Sequence, residues 1–167
     1  VYGGLGNDTV NINVATLGGG SYFGGAGMDA INYSGYTGGI NVTLSPAGST
    51  VTGLATDDFI RGFENIVGSS GNDQITGDAG ANVIDGNAGD DLLSGGAGND
   101  TVIGVTGDDT LIVVSGSDSF DGLTVGETNG DTASFSTVTN GVDVDLGSST
   151  VNDDGFGNTE TITNIEN

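Results

Sequence analysis

One large aliphatic residue recurs every nine positions through the middle of the chain: Ile75, Ile84, Leu93, Val102 and Leu111. Ile66 upstream and Phe120 downstream keep the same register. A fixed apolar position inside a short run of β-forming residues reads as a short strand with one side chain facing inward. Each strand is followed by glycines at fixed places. Gly68, Gly77, Gly86, Gly95 and Gly104 open the five units, and Gly71, Gly80, Gly89, Gly98 and Gly107 stand at their fourth positions. Glycine tolerates a sharp turn and close backbone approach, so the first half of each unit is read as a turn. The pattern predicts an all-β coil with nine residues per half-turn and eighteen per turn. Alternate units then stack at about 4.8 Å, as strands of a parallel sheet do.

Stacking brings the sixth positions together. Asp73, Asp91 and Asp109 form one expected row, and Asn82, Asp100 and Asp118 the other. Two carboxylates about 4 Å apart repel by about 4 kcal/mol at an effective dielectric near 20. A divalent hard cation reverses that sign, and Ca²⁺ accepts backbone carbonyls as readily as carboxylates. Folding and metal binding are therefore expected to be coupled.

The composition narrows the partners. The 167 residues carry 23 Asp plus Glu against a single basic residue, Arg61, for a net charge of -22. Nucleic-acid binding needs several Lys or Arg, so no nucleic acid is expected. Anionic membranes would repel the chain. Cysteine and histidine are absent, which leaves no disulfide and no ligand set for structural zinc. There are 34 Gly, yet they are periodic, and Leu, Ile, Val and Phe make up about a quarter of the chain, above the roughly one-fifth that marks disorder. The chain starts at Val1 without a signal peptide, and is read as an excised piece of a longer protein.

These units resemble the G-G-x-G-x-D-x-U-x repeat of the RTX family, in which U is a large apolar residue. Gly95-Gly96-Ala97-Gly98-Asn99-Asp100-Thr101-Val102-Ile103 matches throughout; Gly3-Gly4-Leu5-Gly6-Asn7-Asp8 and Gly24-Gly25-Ala26-Gly27-Met28-Asp29 match through the turn. The resemblance implies a parallel β-roll, or β-solenoid, that binds Ca²⁺ through the Asp side chains and backbone carbonyls shared between stacked turns. It also implies type I secretion in the unfolded state to a calcium-rich exterior. The metal residues it points to are Asp8, Asp29, Asp73, Asn82, Asp91, Asp100, Asp109 and Asp118, with Gly71, Gly89, Gly96, Gly98 and Gly107 in the turns. The pattern has departures: Asn82 replaces Asp, Val105 replaces the second Gly, and no Gly opens a unit after Ile112. Glu64 falls in register as a candidate first member of the Asn82 row.

A longer repeat lies over the short one. Asp29 to Asn65 aligns without gaps on Asp131 to Asn167, an offset of 102, pairing Asp29 with Asp131, Ser34 with Ser136, Gly39 with Gly141, Leu44 with Leu146 and Glu64 with Glu166. Ile40 to Leu44 and Val142 to Leu146 alternate like strands. Residues 1–28 are read as partly degenerate repeats, 29–67 as a strand-rich spacer, 68–121 as the main repeat block and 122–167 as a second spacer copy that stops before its block.

Other chemistries are weaker readings. Asp57-Asp58 and Asp153-Asp154 could pair for acid–base work, but solvated loops are expected. Tyr22, Phe23, Tyr33 and Tyr36 could form a sugar platform, but core or cap packing is expected. No Ser has a His partner for a triad, and Thr recurs at no fixed position that would build an ice-binding ladder. The sequence reads as a non-catalytic, calcium-binding structural module of a secreted or cell-surface protein, monomeric as a fragment, whose partners are calcium ions and neighbouring repeat units. A repetitive adhesin or surface-layer-like host fits the long repeat. The alternative is a secretion and folding tail of an exported enzyme or pore-forming toxin.

Overall fold

The computed structural model describes residues 1–12, 19–54, 56–123, 126, 128–138, 143–145 and 149–165. Gly141, Val142, Leu146, Glu166 and Asn167, named above, lie outside them.

The described residues form eighteen strands and no helix. In chain order they are β1 (Tyr2–Leu5), β2 (Thr9–Asn11), β3 (Ser21–Ala26), β4 (Ala30–Asn32), β5 (Asn41–Thr43), β6 (Ser49–Val51), β7 (Asp58–Arg61), β8 (Asn65–Val67) and β9 (Gln74–Thr76). They continue as β10 (Val83–Asp85), β11 (Leu92–Ser94), β12 (Thr101–Ile103), β13 (Thr110–Ile112), β14 (Ser119–Asp121), β15 (Thr132–Ser134), β16 (Asp143–Asp145), β17 (Thr150–Asp153) and β18 (Glu160–Thr163).

The nine-residue period sets their pairing. Ile84 of β10 lies opposite Val102 of β12, and Ile75 of β9 opposite Leu93 of β11, all in parallel register. Each pair is eighteen residues apart, one full coil of the roll. Successive units therefore alternate between two sheets. One is nine-stranded, in the order β16-β17-β18-β14-β12-β10-β8-β4-β2; the other is five-stranded, β15-β13-β11-β9-β5.

In β4, β5 and β8 to β14 the central residue faces the space between these sheets. Ile31, Ile75, Ile84, Leu93, Val102, Leu111 and Phe120 are fully buried there. Burying each stabilises by about 1.5–3 kcal/mol, which is what holds strands of only three residues in place. The flanking side chains face outward, as alternation in a strand requires.

The spacer 29–67 is threaded into the same sheets. Its β4 and β8 pair with each other in the large sheet, and β5 pairs with β9 in the small one. The remainder forms an antiparallel hairpin, β6 with β7, in a third sheet of order β1-β3-β7-β6. The second copy builds the same hairpin from β17 and β18. Val51 pairs with Asp58, and Val151 with Glu160. Ser49-Thr50-Val51 therefore corresponds to Ser149-Thr150-Val151, an offset of 100, while Asp58 corresponds to Glu160 at 102. The two copies do not superpose without a gap, as the sequence alone suggested. The second hairpin has two more residues in its connection.

Asp57 is exposed as expected, but Asp58 and Asp154 are not solvated loop residues. Asp58 points inward from β7 and is 2 % exposed; its carboxylate accepts the Gly20 N–H at 2.7 Å and the Tyr33 hydroxyl at 3.3 Å. Burial, with the Asp58 charge beside it, pushes the Tyr33 hydroxyl well above its ordinary pKa. Asp154 is fully buried and accepts the N–H groups of Phe156 at 2.7 Å and Asn158 at 3.0 Å. Burial works to raise its pKa, but these hydrogen bonds hold it below the usual carboxylate value.

Candidate metal centre

The turn that precedes each strand is built around a missing side chain. A Cβ added at Gly68 would strike Oδ2 of Asp73, five residues on, and would lie 2.6 Å from the carbonyl oxygen of Gly86 in the next coil. The arrangement repeats. At Gly86 the obstacles are Asp91 Oδ2 and the Gly104 carbonyl; at Gly104, Asp109 Oδ2 and the Gly122 carbonyl; at Gly3, Asp8 Oδ2 and the Gly24 carbonyl; at Gly24, Asp29 Oδ2 and the Gly62 carbonyl. The first glycine of each unit thus makes room for a carboxylate oxygen and for a carbonyl oxygen of the following coil. At Gly3, Gly24, Gly68, Gly86 and Gly104 a carboxylate oxygen and a carbonyl oxygen are crowded at one place.

The rest of the turn depends on left-handed backbone. Gly98 and Gly107, at fourth positions, both have φ 123, and Gly89 has φ 119. Gly96, at a second position, has φ 92; Val105, its counterpart one unit on, is forced to φ 88. Gly71 also packs closely, since a Cβ there would lie 2.8 Å from the Gly39 nitrogen.

The carboxylates line up in two rows, each joined by hydrogen bonds between coils. In the first, the Ile40 N–H donates to Asp73 at 2.8 Å, Asp73 N–H to Asp91 at 2.7 Å, Asp91 N–H to Asp109 at 2.8 Å and Asp109 N–H to Asp131 at 2.7 Å. In the second, Asp8 N–H donates to Asp29 at 2.8 Å, Asp29 N–H to Glu64 at 2.8 Å, Asn82 N–H to Asp100 at 2.8 Å and Asp100 N–H to Asp118 at 2.9 Å. The gap between Glu64 and Asn82 is closed by the Asn82 side-chain amide, which donates to the Glu64 carbonyl at 2.7 Å. The second row therefore runs unbroken from Asp8 to Asp118, with Glu64 in its middle and not at its start.

Asp131 belongs to the first row and was missed by the nine-residue frame. Gly122 stands to it as Gly104 stands to Asp109, because a Cβ on Gly122 would strike Asp131 Oδ2 and the Asn164 carbonyl. Nine residues separate Gly122 from Asp131 where five separate Gly104 from Asp109. The identity of Asp29 with Asp131 was the available signal.

The members of the rows are not equivalent. Asp73 is satisfied by the protein: Ser69 donates its N–H at 2.7 Å and its hydroxyl at 2.6 Å. Asn82 is satisfied too, with Oδ1 taking the Asp78 N–H at 2.9 Å and Nδ2 given to Glu64. By contrast Oδ2 of Asp29, Asp91, Asp100 and Asp118 is buried with no hydrogen-bond donor, and so is Oδ2 of Asp8. A buried carboxylate oxygen without a donor costs several kcal/mol unless a cation meets it or it takes a proton.

The acidities report that cost. Burial, followed by the charges of Asp73, Asp109 and Asp90, pushes Asp91 up to about 8 against one opposing backbone hydrogen bond. Burial likewise pushes Asp100 up to about 6, with Asp118 and Asp78 adding to it. Burial also raises Asp73 and Asp118.

These residues fit a calcium ion. The unmatched oxygens are hard, anionic and buried, and those of Asp8, Asp29 and Asp91 crowd the same spot as a carbonyl of the next coil, the donor set that Ca²⁺ takes. Among the described residues no three acidic side chains converge on one point, so carbonyls must supply much of the shell. Asp8, Asp29, Asp91, Asp100, Asp109 and Asp118 would hold the ions, with the carbonyls of the first glycines completing them. A bound ion supplies positive charge between oxygens that otherwise repel.

Residues 1–11 and 67–102 match the family model of the RTX calcium-binding nonapeptide repeat, in four copies. No curated protein matches the chain. The matched stretches contain Asp8, Asp73, Asn82, Asp91 and Asp100, so within residues 1–11 and 67–102 the periodic glycines, the inward aliphatic residues and the buried carboxylates are those of RTX calcium-binding nonapeptide repeats.

Proposed function

We propose that this chain is a non-catalytic structural module that calcium folds and stiffens outside the cell, as part of a large secreted protein of the repetitive adhesin or surface-layer kind. The carrying observation is the set of buried Oδ2 atoms of Asp8, Asp29, Asp91, Asp100 and Asp118, which meet no donor. Without cations, a chain of net charge -22 repels itself and stays extended. That state suits export, and calcium at the exterior then neutralises the rows coil by coil. The 102-residue repeat favours a tandem array, because each spacer hands its strands to the sheets of the neighbouring repeats.

Far-UV circular dichroism during a calcium titration tests this, with magnesium as control. The β signal is expected to develop cooperatively near 10⁻⁴–10⁻³ M calcium, the range of extracellular calcium modules. Magnesium prefers six small-ion contacts in near-ideal octahedral geometry and is expected to be ineffective. A β spectrum and melting temperature unchanged by chelator would overturn the reading.

A further inference from the structure

The third sheet carries a row of groups that the calcium turns do not use. Tyr2 of β1 is the in-register partner of Phe23 of β3, and Phe23 is the partner of Arg61 of β7. Two rings and a guanidinium therefore stand side by side on three neighbouring strands, all on the outer face. The Tyr2 and Phe23 rings are stacked, with centroids 4.7 Å apart and planes 9° from parallel. Phe59, 38 % exposed, flanks Phe23 at 6.2 Å. Tyr22, the other ring of β3, points the opposite way and is buried. Phe23 is thus not a core residue, contrary to the sequence reading of the four rings as packing.

Beside the row lies a groove of about 220 Å³ between Phe23 and Arg61, floored by Gly25 and Gly62. This is smaller than the roughly 300–1,000 Å³ of pockets for drug-sized ligands. It suits one small ring lying flat. Arg61 is the single cation of a chain with 23 acids, and it stands at this groove.

We propose that Tyr2, Phe23, Phe59 and Arg61 form a binding site for a pyranose sugar bearing an anionic group, such as a carboxylate. A pyranose offers a flat face of C–H groups, slightly positive, to the negative face of an aromatic ring. Glycines beneath the groove let the sugar approach the backbone. The guanidinium fork matches a carboxylate with two parallel hydrogen bonds, which a Lys or a neutral donor would not. An acidic peptide is the less suitable occupant, since the groove takes one ring and has one cation. The site rests on the folded roll, because its three strands belong to three successive coils.

The test is retention of the calcium-loaded chain on a glycan array containing lactose, 3′-sialyllactose and further neutral and anionic pyranosides, with the β spectrum recorded on the same sample. Anionic glycans are expected to be retained above their neutral counterparts. Phe23→Ala is expected to weaken retention of both at least tenfold. Arg61→Gln should abolish the preference for the anionic member and leave the weak neutral binding. A chain with a full β spectrum that retains no glycan, or that retains glycans equally after Phe23→Ala, overturns the site while leaving the calcium reading intact. If no β spectrum develops in calcium, both fall.

Discussion

The backbone N–H of Asp91 donates to the carboxylate of Asp109 at 2.8 Å, eighteen residues along the chain. One oxygen of each carboxylate in the rows thus ties its coil to the coil before it. The second oxygen of Asp91 has no donor. The hydrogen bond sets the register, and the leftover oxygen creates the demand for a cation.

Asn82 shows how one coil avoids that demand. Its amide gives a proton to Glu64 where its neighbours present bare oxygen. Asn82→Asp is expected to add about one calcium ion to the stoichiometry read by isothermal titration calorimetry. The same change should make folding depend more steeply on calcium concentration, because the Glu64 bridge is lost and a buried charge then needs the cation. Asp91→Ala should do the reverse to stoichiometry, and should raise the calcium midpoint several-fold.

Protons and calcium compete for the rows. In the unfolded chain Asp91 and Asp100 titrate near 3.8, but in the fold they are raised to about 8 and about 6. Between about pH 4 and pH 8 the folded state therefore binds more protons than the unfolded state, so calcium-free stability falls as pH rises. It is fully present below about pH 4 and lost as pH passes the folded values. In chelator the β signal should be greatest at low pH and fall away as the pH rises through that range. Calcium must displace those protons, so its apparent affinity should rise over the same range.

Val105 holds φ 88 where the preceding unit has Gly96 at φ 92. A β-branched residue there is strained by about 1–3 kcal/mol. Val105→Gly is expected to stabilise the loaded roll by about 1 kcal/mol, seen as a rise in melting temperature of several degrees.

Leu93 is fully buried between the two sheets and is the buried aliphatic side chain of its unit. Leu93→Ala should cost about 2–5 kcal/mol. Denaturant unfolding at saturating calcium checks this. The calcium midpoint should shift as well, since folding and binding are one equilibrium.

Much of the roll was legible because its period is short. Gly95 to Ile103 states turn, carboxylate and strand in nine letters, and Ile84 lies opposite Val102 as that count requires. Ile40 to Leu44 alternates and contains β5. What a period cannot state is an insertion. Asp131 meets Gly122 across nine residues where the other units use five, and a fixed nine-residue count does not carry over such an insertion. The hairpin offset between Ser49–Val51 and Ser149–Val151 was hidden for the same reason. Phe23 was misread for a different one. Adjacent residues of a strand face opposite ways, so Tyr22 and Phe23 cannot share a side, and composition does not say which ring goes in.

Asp73 and Asn82 sit in adjacent units, and protein donors alone satisfy both. Those two half-turns, one coil of the roll, can close before any ion arrives. In a stack where each layer touches only its neighbours, closure spreads from wherever it starts. The spacer-to-repeat junction is then the nucleus of the roll, from which ordering runs outward in both directions, each newly captured ion templating the next layer.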